Sequence, residues 1–196
     1  VPAIKFGFYK DNVPLKANKV CSFRDEGAAV AATDPDIAQE ALDLIRVEYE
    51  ILPAVFDPEQ AMKEGAPLIH EEHVDGKEKK PTNVLNLPWR LVSGDVEEAR
   101  KNSAFVAEDR FKVTWVTHCC LGTSGCVAQF DLKNNLTVYS ITQIPSLAQR
   151  DYTDALAAMG LQGKKVRVIK TMIGGGFGSK LDTYAFEYIA ILLAHR

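Results

Sequence analysis

No two cysteines in this chain are separated by two residues, although it holds four of them. The CxxC spacing that opens many zinc and redox sites is therefore missing. Cys119 and Cys120 are adjacent, Cys126 follows and Cys21 is remote, with His118 beside the pair. Adjacent cysteines on a strand point to opposite faces and chelate one ion poorly, so reduced thiols of a cytoplasmic protein are the expected state. A basic stripe is also missing. The formal net charge is −3, which argues against a nucleic-acid surface. No apolar run is long and unbroken enough to cross a bilayer as a helix. There is no repeat and no low-complexity tract. Val1-Pro2-Ala3 lacks a Met, a basic segment or a small-residue cleavage pattern, so no signal peptide is expected and residue 1 reads as a cut inside a longer chain.

What is present is ordinary in bulk: 196 residues, 46% hydrophobic and 25% charged, enough for one good-sized core or two small ones. The small-residue run Gly27 to Ala32 reads as a compact strand. Asp34-Pro35 places a capping side chain before a proline at the first helical position. Ile37, Ala38, Ala41, Leu42 and Ile45 then recur at helical spacing. Val47, Tyr49 and Ile51 alternate with Glu48 and Glu50, the pattern of a strand ending at Leu52-Pro53. Asp57-Pro58 opens a short helix that Gly65-Ala66-Pro67 breaks. The mixed-charge run Glu71 to Lys80 reads as a solvated loop or linker. Beyond it, Ser93-Gly94-Asp95 caps a helix from Val96 to Lys101, and Phe111, Val113, Trp115 and Thr117 alternate as in a half-buried strand. Cys126 to Phe130 and Leu136 to Ile141 flank the turn Lys133-Asn134-Asn135, predicting a hairpin. A helix from about Ser146 ends at Gly160. Lys165 to Lys170 alternates as a strand, and Tyr184 to Ala194 reads as an apolar helix.

The densest chemistry lies in Ile173-Gly174-Gly175-Gly176-Phe177-Gly178-Ser179-Lys180. Consecutive glycines let a ligand approach bare backbone, and positive-φ conformations turn successive N–H groups toward one anionic or oxygen-bearing partner. Two nucleotide fingerprints fail here. The third glycine of GxGxxG falls on Ser179. A phosphate loop starting at Gly174 finds its lysine at Lys180, but not the glycine before it or the Ser/Thr after it. Upstream, Gln143 in Tyr139-Ser140-Ile141-Thr142-Gln143-Ile144-Pro145 sits where a strand gives way to a helix, a position from which an amide can enter a cleft.

The order Ser140-x-Thr142-Gln143, a helix ending in Gly160, the strand Val166 to Ile169 and then Gly174 to Lys180 resembles the molybdenum-binding large subunit of the xanthine dehydrogenase/aldehyde oxidase family. Asp25 to Ala32, the Asp34-Pro35 helix and Val47 to Val55 resemble the α/β-hammerhead domain of that family. The resemblance implies an α+β fold, with a hammerhead domain over residues 1–59, a linker over 60–88 and a truncated molybdopterin-binding domain over 89–196. It implies cofactor contacts from Gln143, Gly175, Gly176, Phe177 and Gly178, of which the Gln143 amide and the Phe177 backbone N–H would meet oxygens on molybdenum. The implied cofactor is molybdenum–molybdopterin, in the cytosine dinucleotide form of bacterial members. A 2Fe-2S iron–sulfur subunit and an FAD subunit would be partners in a dimer of heterotrimers.

Departures from the family pattern narrow the expectation. Purine-oxidising members have a glutamate directly after the lysine of the glycine turn, and Leu181 stands there, so a purine substrate is not expected. Aldehydes, N-heterocycles and aromatic acyl-CoA thioesters remain open, with a lean toward the branch resembling 4-hydroxybenzoyl-CoA reductase. Gly122-Thr123 replace the family's Glu-Pro after the histidine, and that loop is assigned no role. The family's general base lies beyond Arg196, so the chain alone is expected to be inactive and free of cofactor. Cys21-Ser22-Phe23-Arg24 matches the active-site cysteine motif of carbon monoxide dehydrogenases but stands far too early in the chain, and Cys21 reads as a packed side chain. The competing readings are a non-catalytic scaffold and a nucleotide-binding module without molybdenum.

Overall fold

The structure is a computed structural model, and it describes residues 4–7, 9–74, 80–85 and 91–196. Part of the expected linker, at 75–79 and 86–88, lies outside the described residues. The chain forms two compact units, one from Val1–Arg46 with Val116–Arg196 and the other from Val47–Trp115. Helices and strands are mixed. In chain order they are α1 (Pro35–Asp43), α2 (Pro58–Ala61), α3 (Val96–Asn102), β1 (Cys126–Phe130), β2 (Leu136–Ser140), α4 (Pro145–Ala158), β3 (Val166–Lys170) and α5 (Ala185–Ala194).

The three strands form one sheet in the order β1-β2-β3, with β1 antiparallel and β3 parallel to β2. The β1–β2 hairpin is tied by Asp131. Its Oδ1 accepts the backbone N–H groups of Lys133 and Asn135 at 2.8 Å each, while Asn134 takes the left-handed φ of 60° that Asn tolerates well. Hydrogen bonds from the Asn135 side chain and backbone, and from Lys133, hold the Asp131 carboxyl below its usual range. A parallel partner cannot follow through a tight turn, so the chain crosses over through α4 before β3.

One face of the sheet carries the core. Leu136 and Val138 on β2 are buried, and Cys126, Ala128 and Phe130 on β1 and Val168 on β3 pack beside them. Against this face α4 sets Ala148, Tyr152, Ala155 and Leu156, and α5 sets Ala185, Tyr188 and Ile191, each at helical spacing. The N-terminal residues Ile4 and Phe6 complete the core, with the Phe6 ring stacked on Tyr188 at a centroid distance of 4.7 Å. A polar chain threads the same region. The Tyr188 hydroxyl donates to Thr183 Oγ1 at 2.6 Å, Thr183 donates to Asp151 Oδ2 at 3.1 Å, and Lys10 Nζ reaches Asp151 Oδ1 at 3.3 Å.

The capping signals are found where expected. Asp34 accepts from Asp36 N at 2.8 Å, Asp57 from Gln60 N at 2.9 Å and Asp95 from Glu98 N at 3.0 Å. Gly160 follows α4 in the left-handed conformation, with φ of 80°. Three predicted strands are absent. Residues 27–32, 47–51 and 111–117 belong to no strand, and Ile51, Phe111, Val113 and Trp115 are each at least 89% exposed. Alternation creates a strand only when a neighbour completes the ladder, and no described segment pairs with these runs. The apolar stripe of α1 buries no residue. Among the described residues no helix is long and apolar enough to cross a membrane.

The Tyr152 hydroxyl is fully buried beside Glu187 and Ser140, but no hydrogen bond of good geometry reaches it among the described residues. Burial first, then the neighbouring Glu187 carboxylate, holds its pKa far above the ordinary tyrosine value. A buried hydroxyl without a partner opposes folding by about 1–3 kcal/mol, so Tyr152→Phe should leave unfolding stability unchanged or raise it by roughly 1 kcal/mol. A measured loss in chemical denaturation would show that the hydroxyl has a partner.

Candidate functional site

Strand direction brings the chemistry to one edge. β2 and β3 are parallel and paired from Leu136 with Val166 to Ser140 with Lys170, so both carboxyl ends leave the sheet together. Gln143 follows the first and the glycine turn follows the second. Because β1 is antiparallel and Cys126 pairs with Ser140, the segment entering β1, His118 to Gly125, arrives at the same edge. Three segments far apart in sequence thus converge where open α/β sheets commonly hold their ligands.

Gln143 clamps the glycine turn. Its Oε1 accepts from Gly178 N and Lys180 N, each at 3.2 Å, and its backbone N–H donates to Lys180 O at 2.8 Å. Both side-chain contacts are backbone N–H donors, so the amide must face them with oxygen. Nε2 is left on the other side of the planar amide, and it makes no hydrogen bond among the described residues. Gly176 makes this possible, because a Cβ there would fall 2.4 Å from Gln143 Oε1.

The turn itself is held by its carbonyls. Gly174 O accepts Gly122 N at 2.9 Å, Ile173 O accepts Lys180 Nζ at 2.6 Å, and Gly176 O accepts Ser179 Oγ at 2.7 Å and Cys120 Sγ at 3.4 Å. The Tyr184 hydroxyl, at the cap of α5, donates to Ser179 O. The N–H groups of Gly175, Gly176 and Phe177 make no hydrogen bond among the described residues. Gly174, Gly175, Phe177 and Gly178 all have positive φ, at 58°, 95°, 50° and 98°. For Phe177 that conformation is strained, of order 1–3 kcal/mol, and it persists because both flanks of the turn are tied down. The residue is 74% exposed.

Each residue predicted for the site from sequence, Gln143, Gly175, Gly176, Phe177 and Gly178, therefore lies in one constellation. The pattern did not reveal the backing. Gly122 crosses Gly174 so closely that a Cβ on either would come within 3.0 Å of the other's backbone. The loop of His118 to Thr123, left without a role in the sequence, is a wall of the turn. Lys180, 3% exposed, joins it by donating to Gly122 O at 2.6 Å. A paired glycine signal at 122 and 174 was the only hint available. On the open side, His118 Nε2 and Leu181 Cδ1 are the nearest atoms to a Cβ built on Gly178, at 3.7 and 3.9 Å. Cys21 lies elsewhere, its backbone N–H capped by Asp25 at 2.7 Å. The four cysteines form no disulfide, and the Cys126 thiol is pushed up to about 11 by burial and then by Glu187, which disfavours its thiolate.

Free backbone donors and an oriented amide N–H₂ beside a turn stripped of side chains suit an anionic, oxygen-bearing group of some size. Comparison with known proteins agrees. The family described as molybdopterin cofactor-binding domain matches residues 77–196. The chain belongs to this family.

Three relatives show its breadth. The nicotinate dehydrogenase large molybdopterin subunit of Eubacterium barkeri is 36% identical over 97% of this chain and 42% of its own length. A carbon monoxide dehydrogenase from Oligotropha carboxidovorans matches in structure with a TM-score of 0.68 and 31% identity, over 84% of this chain and 21% of its own. Quinoline 2-oxidoreductase from Pseudomonas putida 86 matches with a TM-score of 0.65 and 29% identity, over 84% and 20%. The chain thus spans less than half the length of these molybdopterin-family relatives. The resemblance read from Gln143 and the glycine turn, to the large subunit of the xanthine dehydrogenase family, holds.

The clamp is open to a direct test. Gly176→Ala puts a methyl group into the Gln143 amide and should lower unfolding stability by about 1–3 kcal/mol, through displaced hydrogen bonds and overpacking. Gly27→Ala meets nothing within 4 Å and should be neutral, with both measured by thermal melts of the same protein.

Proposed function

We propose that Gln143, Gly175, Gly176, Phe177 and Gly178 hold a molybdenum–molybdopterin group, and that the chain is part of the large subunit of a molybdenum-dependent oxidoreductase. The observation that carries this reading is the division of labour in the turn. Its carbonyls are consumed by Gly122, Lys180, Ser179 and Cys120, while the N–H groups of Gly175 to Phe177 and the Gln143 Nε2 remain available. The group, when bound, supplies two-electron redox chemistry and passes electrons on singly.

The chain's own contribution is placement. Gln143 would offer an amide donor whose orientation is fixed before any ligand arrives, and Phe177 would offer a backbone donor already held in the required conformation. Such preorganised donors lose little on binding. The glycines keep side chains out of the approach. In the same reading residues 1–59 are a hammerhead domain, 60–88 a linker and 89–196 part of the molybdopterin-binding domain. The cofactor is the cytosine dinucleotide form, and the electrons leave through a 2Fe-2S subunit and an FAD subunit, in a cytoplasmic dimer of heterotrimers.

For the substrate we favour an N-heterocycle. Nicotinate dehydrogenase and quinoline 2-oxidoreductase, two of the relatives, are named for such rings. Leu181 is exposed and stands beside Gly178, giving that wall an apolar side chain where a purine site would place a carboxylate. None of the three relatives named above is a 4-hydroxybenzoyl-CoA reductase, and that branch is the second choice.

The full-length protein, purified with its partner subunits, should contain molybdenum and pterin by metal and fluorescence analysis, whereas residues 1–196 alone should contain neither. Gln143→Ala should lower turnover of the loaded enzyme about a hundredfold or more with assembly intact. Unchanged turnover would remove Gln143 from the site, and xanthine turned over as fast as nicotinate would remove the assignment against purines.

A further inference from the structure

Lys180 is a buried cation without an anion. It is 3% exposed, and among the described residues no carboxylate lies within ion-pair distance of Nζ. Its ammonium donates to Gly122 O and Ile173 O, both at 2.6 Å. An ammonium has three protons, so one is left with no acceptor among the described residues. Carbonyl dipoles alone repay poorly the desolvation of a full charge, and a lysine in such surroundings is normally paired.

The surroundings lack negative charge on the neighbouring segments as well. Gly122 and Ile173 belong to two loops that cross at Gly122 and Gly174, and neither loop, His118 to Thr123 or Thr171 to Gly176, contains an acidic residue. Ile173 lies two residues before Gly175, where the run of free N–H groups begins. The backbone of Lys180 also grips Gln143, through N–H to Oε1 at 3.2 Å and through the carbonyl to Gln143 N at 2.8 Å. One residue thus joins all three segments of the site and sets its charge directly behind the cradle.

We propose that Lys180 is a positioning residue whose uncompensated positive charge is the counterpart of an anionic cofactor in front of the turn. It fixes the carbonyl face so that the N–H face stays open, and it raises the affinity of that face for negative charge. A phosphate-loop lysine reaches out to its ligand; Lys180 works from behind, through the backbone it holds. This inference rests on the molybdopterin reading given above.

The test uses the full-length subunit assembled with its partners, as wild type, Lys180→Gln and Lys180→Arg. The wild type is assayed first, and absence of molybdenum and pterin from it would overturn the cofactor reading itself. Given a loaded wild type, Lys180→Gln keeps a donor but loses the charge. It should assemble and carry about tenfold less molybdenum, the size of loss seen when supporting residues of a metal site are removed. Its residual loaded fraction should show a more negative molybdenum midpoint potential by EPR-monitored titration. Lys180→Arg keeps the charge and should hold molybdenum within about twofold of wild type. Lys180→Gln with wild-type loading and an unchanged potential would overturn the proposal. So would failure of Lys180→Gln to assemble, because that would make Lys180 a folding residue only.

Discussion

The parallel register of β2 with β3 is the constraint on which the site depends. Pairing Ser140 with Lys170 forces Thr142-Gln143 and the glycine turn to leave the sheet side by side, although 30 residues separate the two strand ends. A one-residue slip would turn Leu136 and Val138 out of the core and carry the Gln143 clamp away from Gly178. The register is protected by burial. Leu136 and Val138 are at most 1% exposed, and the buried Glu187 of α5 accepts from Ser140 Oγ at 2.7 Å while also receiving the backbone N–H of Tyr184 at 3.0 Å. The end of β2 and the start of α5 are thereby locked to the same carboxylate, and the turn between β3 and α5 closes over Gln143.

Glycine serves two purposes here that a sequence does not separate. Gly175 and Gly178 supply backbone conformation. Gly176 and Gly122 supply room, one for the Gln143 amide and the other for a crossing backbone, and Gly174 supplies both. The run Gly174 to Gly178 advertises a close approach, and Gln143 advertises an amide at a strand end, so both were legible. Lys180 was visible as the lysine of a failed phosphate loop and as the end of the glycine turn, with no role attached to its side chain. That its ammonium turns back to Gly122 and Ile173 depends on a loop crossing that no local pattern encodes.

The same distinction runs through the fold. Features set by neighbours in sequence were readable: the Asp34, Asp57 and Asp95 caps, the Asp131 hairpin and the Gly160 stop. Runs whose fate depends on a distant partner were not. Residues 111–117 alternate as well as Val166 to Lys170 do, yet only the latter found a strand to join. Periodicity reports what a segment offers to a sheet, and pairing decides whether the offer is taken.

Phe177 presents its backbone and its ring as separate assets. The N–H is fixed by the left-handed conformation and by the anchored residues around it, whereas the residue as a whole is largely exposed. A side chain at this position can therefore drift among types that tolerate the conformation while the donor stays in place. Natural variation could thus reshape what lies beside the cradle without rebuilding the cradle, a route by which one scaffold diversifies its chemistry at little structural risk.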